Sequence, residues 1–121
     1  MNKLFISPAA EKDLFEIKQY ISEELDNPTS AVKVVSQIIN RIKDLVNFPE
    51  AGVPLSTKIG FETKYRFIVS GNYLAFYRFE ENSVYIDRVL YAKRDYIRIL
   101  LLLEIGAGTG KATVQLAERG V

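Results

Sequence analysis

The spacing of apolar residues changes once along this chain, and the change divides it into a helical half and a strand half. Leu14, Ile17, Ile21 and Leu25 recur at intervals of three and four, which predicts one helix with a single buried stripe. Ser7-Pro8 starts that helix, since serine suits the N-cap and proline the first helical position. Asn27-Pro28 ends it and opens a second helix, where Val35, Ile38, Ile42 and Leu45, flanked by Val34, Ile39 and Val46, form a wider apolar face. Phe48-Pro49, Gly52 and Pro54 then stop the second helix and predict a loop to about Glu62.

Past that loop the pattern is that of strands. Tyr65 to Ser70, Tyr73 to Phe79 and Ser83 to Tyr91 are rich in β-branched and aromatic residues, with Ser70-Gly71-Asn72 and Glu80-Glu81-Asn82-Ser83 as turns between them. They predict an antiparallel meander, with the most apolar run, Tyr73 to Phe79, at its centre. Lys3-Leu4-Phe5-Ile6 is placed like a first strand. The fold class is therefore α+β, in the order β-α-α-β-β-β, with a helical hairpin packed on one face of a small antiparallel sheet. The second helix is expected to pack on Phe67, Val69, Leu74, Phe76 and Ile86, each large side chain contributing about 1.5–3 kcal/mol.

Composition narrows the function more than it narrows the fold. At 121 residues and 48% hydrophobic, the chain suits one domain with a real core. No apolar run approaches the ~20 residues that span a bilayer, and MNKLFISP lacks the features of a secretory signal, so a cytoplasmic protein without membrane partners is expected. Cysteine and histidine are absent, which excludes disulfides, the usual zinc sites, a thiolate nucleophile and an imidazole base. No cofactor or metal is expected. Any catalysis must use Lys, Arg, Tyr, Glu or Asp.

Formal net charge is only +1, but the charges are unevenly placed: residues 1 to 57 hold six basic and eight acidic side chains, and residues 58 to 98 hold eight basic and five acidic. The sheet half is basic, which favours encounter with nucleic acid or an acidic protein. Solvated charge is the plainer reading. Likewise Arg66 and Arg78 can pair with Glu62, Glu80 or Asp87 on neighbouring strands, and Tyr77 and Tyr85 can serve sheet packing.

Three segments, KLFISPAAEKDLFEIKQYI, FPEAGVP and YRFIVSGNYLAFYRFEENSVYIDRVLYAKRD, together with the element order, resemble the RelE/ParE superfamily of toxins from bacterial type II toxin–antitoxin modules over about residues 3 to 100. The resemblance implies a growth-inhibiting toxin, of the kind that serves plasmid stabilisation, neutralised by a cognate antitoxin. Two activities share that fold. RelE-like members enter the ribosome and cut messenger RNA without a metal, whereas ParE-like members poison DNA gyrase. RNA cleavage requires groups that align the 2′-hydroxyl and neutralise charge on phosphorus, and the candidates here are Arg66, Arg88, Tyr91, Lys93, Arg94 and Tyr96. Strict alternation puts Arg88 on the face of Ile86, so its exposure would need a bulge. RelE-like nucleases carry an arginine early in the third strand where this chain has Leu74, and many carry a histidine where it has Tyr91. That makes the segment closer to ParE-like sequences. The alternative from a different class is a non-toxic interaction module that binds a peptide on the same sheet.

Leu102-Leu103-Glu104-Ile105-Gly106-Ala107-Gly108-Thr109-Gly110, with the residues after it, resembles the glycine loop of class I S-adenosylmethionine methyltransferases. The further strands such a site requires are not in this chain, so no methyltransferase activity is expected. The expected division is a toxin domain over 1–103, with Ile97 to Leu103 as a short helix or strand upon it, and an appendage over 104–121.

Overall fold

The computed structural model describes residues 2–60, 62–94 and 98–99. Its helices are α1 (Pro8–Gln19), α2 (Pro28–Asp44) and the short α3 (Ser56–Ile59); its strands are β1 (Lys3–Ile6), β2 (Val53–Pro54), β3 (Arg66–Ser70), β4 (Tyr73–Glu80) and β5 (Ser83–Tyr91). The expected α+β class and element order hold, and β2 and α3 are additions within the predicted loop. Both long helices start as their sequences dictate. Ser7 Oγ accepts the Ala10 N–H at 3.0 Å and Asn27 Oδ1 accepts the Ser30 N–H at 3.1 Å, each ahead of a proline that needs no donor partner.

The strands form one sheet in the order β1-β5-β4-β3-β2, with β4 central, as its apolar run predicts. The sheet is not wholly antiparallel. β1 pairs parallel with β5 through Lys3↔Ser83 to Ile6↔Ile86, while all other neighbours are antiparallel. Both hairpins are two-residue turns, and Glu81 and Asn82 take the positive φ that such a turn requires.

The helical hairpin covers one face, but of its expected strand partners only Ile86 lies on that face. Leu14, Ile17, Ile21, Ala31, Ile38, Ile42 and Leu45 pack with Ile68, Ala75, Tyr77, Val84, Ile86 and Val89. Phe67, Leu74 and Phe76 lie on the opposite face, in a second core with Leu55, Tyr65 and Leu90, against which Ile59 and Ile99 pack. Alternation along β3 and β4 accounts for this, since Phe67 and Ile68, like Phe76 and Tyr77, point to opposite sides. Val69 shares the phase of Phe67 yet is 48% exposed. Thus both faces of the sheet are partly covered, which is why its central strand reads as continuously apolar.

The first helical stripe also ends earlier than its spacing suggests. After Gln19 the helix widens into a π-type turn, Tyr20–Glu24, which slips the stripe's phase by a residue. Leu25 is thereby 57% exposed rather than buried. Arg98 and Ile99 are helical; the remainder of the predicted extension to Leu103 and the whole segment 104–121 lie outside the described residues. Among the described residues no helix is long and apolar enough to cross a membrane.

Candidate functional site

The site grows from a problem of hydrogen bonding at the edge of β5. β1 pairs with β5 only as far as Ile86, so the outer edge of residues 87 to 89 must find other partners. The N-terminal region of α1 supplies them. The Ser7 N–H donates to the Ile86 carbonyl and Ser7 Oγ to the Asp87 carbonyl, each at 2.9 Å, and Asp13 Oδ2 accepts the Val89 N–H at 2.9 Å. At the same place β5 bulges by one residue: Ile86 faces Tyr77 and Arg88 faces Phe76, leaving Asp87 between them.

The bulge does not expose Arg88. Its Nε and Nη2 donate to the two oxygens of Asp13 at 2.8 and 2.9 Å, and the residues are 9% and 6% exposed. Arg88, a candidate site residue, thus stays on the inner face that strict alternation gives it despite the bulge, and a bidentate carboxylate in the protein interior already satisfies its guanidinium. Asp87 turns to the other face, where Arg78 holds it at 2.9 Å and also holds Glu80 at 2.7 Å; Lys64 reaches Glu80 at 3.1 Å. Burial raises the Asp87 carboxyl above the usual range, against the pull of Arg78 and the Tyr65 hydroxyl. For Glu80, burial is outweighed by bonds from Lys64 and Arg78, and its carboxyl lies below that range. Arg78 also stacks over the Tyr85 ring at 4.4 Å. The cross-strand pairing proposed for Arg78 is thus the arrangement found.

Arg66 is committed elsewhere. Its Nη1 donates to the Gly52 carbonyl at 2.8 Å and, more weakly, to the Glu50 carbonyl at 3.4 Å, rather than to Glu62, Glu80 or Asp87. Tyr77 secures the same loop from inside the core, its hydroxyl donating to the Pro49 carbonyl at 2.7 Å and accepting the Gly52 N–H at 2.9 Å. Gly52 is required here, because a Cβ would lie 2.5 Å from the Tyr77 hydroxyl oxygen and 2.8 Å from the Phe67 carbonyl.

Tyr91, Lys93 and Arg94 are the candidates that remain open to solvent. They follow one another at the end of β5, where the Ala92 N–H binds the Asn72 carbonyl at 2.8 Å and the Arg94 N–H binds the Tyr91 carbonyl at 3.0 Å. A groove of about 520 Å³ opens there between α1 and the ends of β4 and β5. Ile17, Leu25, Val89 and Leu90 give it apolar walls, while Tyr20, Tyr73, Tyr91, Asn72, Glu16 and Arg94 bring polar groups to it. Tyr73 and Tyr91 meet edge to face at 5.8 Å. Burial, and after it the neighbouring Tyr91 and Tyr20, raise the Tyr73 hydroxyl above its ordinary value, so that phenol is a neutral hydrogen-bonding group near pH 7. Among the described residues, none of these six side chains has a hydrogen-bond or ion-pair partner.

Of the six residues singled out from sequence, the structure therefore gathers Tyr91, Lys93 and Arg94, seals Arg88 in an ion pair and turns Arg66 to the pinned loop; Tyr96 lies outside the described residues. Sequence reasoning missed Glu16, Tyr20, Leu25, Asn72 and Tyr73. One signal was present: Tyr73 opens β4 directly opposite Tyr91 at the end of β5. No group of three or more Asp and Glu side chains among the described residues could hold a metal ion.

Comparison with known proteins fits this architecture. No curated protein matches the sequence. A solved structure described as the chromosomal ParDE TA system from P. aeruginosa superimposes with a TM-score of 0.64 at 24% identity, covering 77% of this chain and 98% of that one, a likeness of fold. Residues 4–96 match a family described as ParE toxin of type II toxin-antitoxin system, parDE. The chain belongs to the ParE toxin family.

Proposed function

We propose that this type II toxin inhibits growth by binding and poisoning DNA gyrase in the cytoplasm rather than by cutting messenger RNA, and that a cognate antitoxin silences it. One observation carries the choice between targets: among the described residues, the groups that phosphoryl chemistry would need are not assembled. Arg88 is neutralised by Asp13 and Arg66 is turned to backbone carbonyls. Arg94 is left beside the phenols of the groove, with the exposed Lys93 next to it in sequence. Cleavage of RNA needs a proton acceptor and charge stabilisation converging within hydrogen-bond reach of one phosphate. A surface built for binding needs no such convergence. Membership in the ParE family supports the same side of the choice, as does Leu74 where RelE-like nucleases carry arginine.

Tightly controlled expression in bacteria tests the reading. Arrested growth with accumulating DNA breaks and no codon-phased cuts in primer extension on messenger RNA is the expected result. Phased cuts would return the protein to the nuclease class. Unaffected growth with the protein present would instead favour a peptide-binding module without toxicity.

A further inference from the structure

The two long helices turn different surfaces to solvent. Along α1 the exposed charges are Glu11, Lys12, Glu16 and Lys18, two of each sign, a balance typical of a solvated face. α2 is not balanced. Its exposed Lys33, Ser36, Gln37 and Asn40 fall at i, i+3, i+4 and i+7 and so share one face, directly away from the buried Ala31, Ile38 and Ile42. The exposed Arg41 and Lys43 stand on either flank of that row. All six side chains lack a hydrogen-bond or ion-pair partner among the described residues. Acids bound the row rather than interrupt it: the exposed Glu23, Glu24 and Asp26 precede the helix and Asp44 ends it.

We propose that the outward face of α2 binds duplex DNA through its major groove. In that groove the base edges carry hydrogen-bond donors and acceptors down the middle, and phosphates line both sides. The helix offers the matching cross-section. Amides and a hydroxyl run along its crest, where Gln and Asn suit adenine edges, and a cation on each flank meets one of the two backbones, with Lys33 at the head of the row as a third. The stretch Lys33–Lys43 is about 16 Å long, and a groove ~12 Å wide admits an α-helix. An acidic protein would be drawn by the same cations, but it has no need of a polar row held between two of them. The deep, narrow major groove of A-form RNA shuts a helix out. The inference rests on the gyrase reading only for the source of the duplex, since the enzyme to be poisoned works on DNA.

Fluorescence anisotropy of a short fluorescein-labelled DNA duplex, titrated with the full chain in the absence of gyrase, tests it. Binding is expected, with log K falling against log salt at a slope of about −3, close to one for each cation. Lys33→Gln with Lys43→Gln should weaken it about tenfold and flatten the slope by about 2. Lys12→Gln with Lys18→Gln on α1, which removes the same amount of charge, should change neither. Gln37→Ala with Asn40→Ala should weaken binding at an unchanged slope, because amides release no counterions. No binding at low salt, equal losses from the two lysine pairs, or equal binding of duplex RNA or of polyglutamate would each overturn the proposal, the last by pointing to an acidic protein as the partner. Because the assay contains neither gyrase nor cells, the duplex can bind as expected while the gyrase reading fails, or the reverse.

Discussion

The two ends of the sheet treat their polar groups in opposite ways. At the loop from Phe48 to Val53, the donors and acceptors described above are matched inside the molecule: Tyr77 and Arg66 bind three carbonyls and one N–H between them. At the groove, three phenols, an amide, a carboxylate and a guanidinium have no hydrogen-bond or ion-pair partner among the described residues. The first end spends its polar chemistry on holding the chain in place, and the second keeps it for something outside. Substitutions at the first should therefore cost stability, and substitutions at the second should cost binding.

The largest effect is expected just below the groove. Asp13→Ala leaves Arg88 buried without its carboxylate and the Val89 N–H without an acceptor, so chemical denaturation should show a loss of about 3–5 kcal/mol. A loss under about 1 kcal/mol would mean that the pair behaves as a surface ion pair. Next is Gly52→Ala, whose new Cβ meets the Tyr77 ring and a backbone carbonyl that cannot retreat; about 1–3 kcal/mol should be lost in the same measurement. Tyr77→Phe keeps the ring but strands the Gly52 N–H and the Pro49 carbonyl, at about 1–2 kcal/mol.

At the other end Arg94→Ala should change stability by no more than about 0.5 kcal/mol while toxicity in the expression assay disappears. Retained toxicity there would remove Arg94 from the working surface. The smallest effect is on acid stability. Asp87 has a raised carboxyl in the folded state, so folding gains stability as pH falls through its folded value toward the ordinary range. Glu80, lowered in the folded state, contributes stability at higher pH that is lost as pH falls through its lower folded value. Thermal unfolding followed against pH should show a shallow rise before the decline, and Asp87→Asn should abolish the rise alone.

Much of the fold could be read from local chemistry. Proline after a capping residue set both helix starts, and two short turns set the meander with β4 at its centre. What escaped sequence reasoning depended on phase. A π-type turn moved Leu25 out of the core, and a single bulge sent Asp87 and Arg88 to different partners. Neither leaves a mark on apolar spacing. The face opposite the helices escaped because Phe67, Leu74 and Phe76 are as apolar as their helix-side neighbours, and only alternation tells them apart. For the site, exposed cations after β5 were legible as a run. Asp13 was the overlooked clue, a charged residue amid the buried Ala10, Leu14 and Ile17, which only an interior partner can explain.

That partner is 75 residues away. At a synthesis rate of ~5–20 residues per second, about 4–15 s separate the emergence of the aspartate from that of its arginine. During that interval α1 has nothing to fix it against the last strand, so the groove between them has no settled walls. A ribosome-bound toxin is in this sense unarmed until β5 has cleared the exit tunnel.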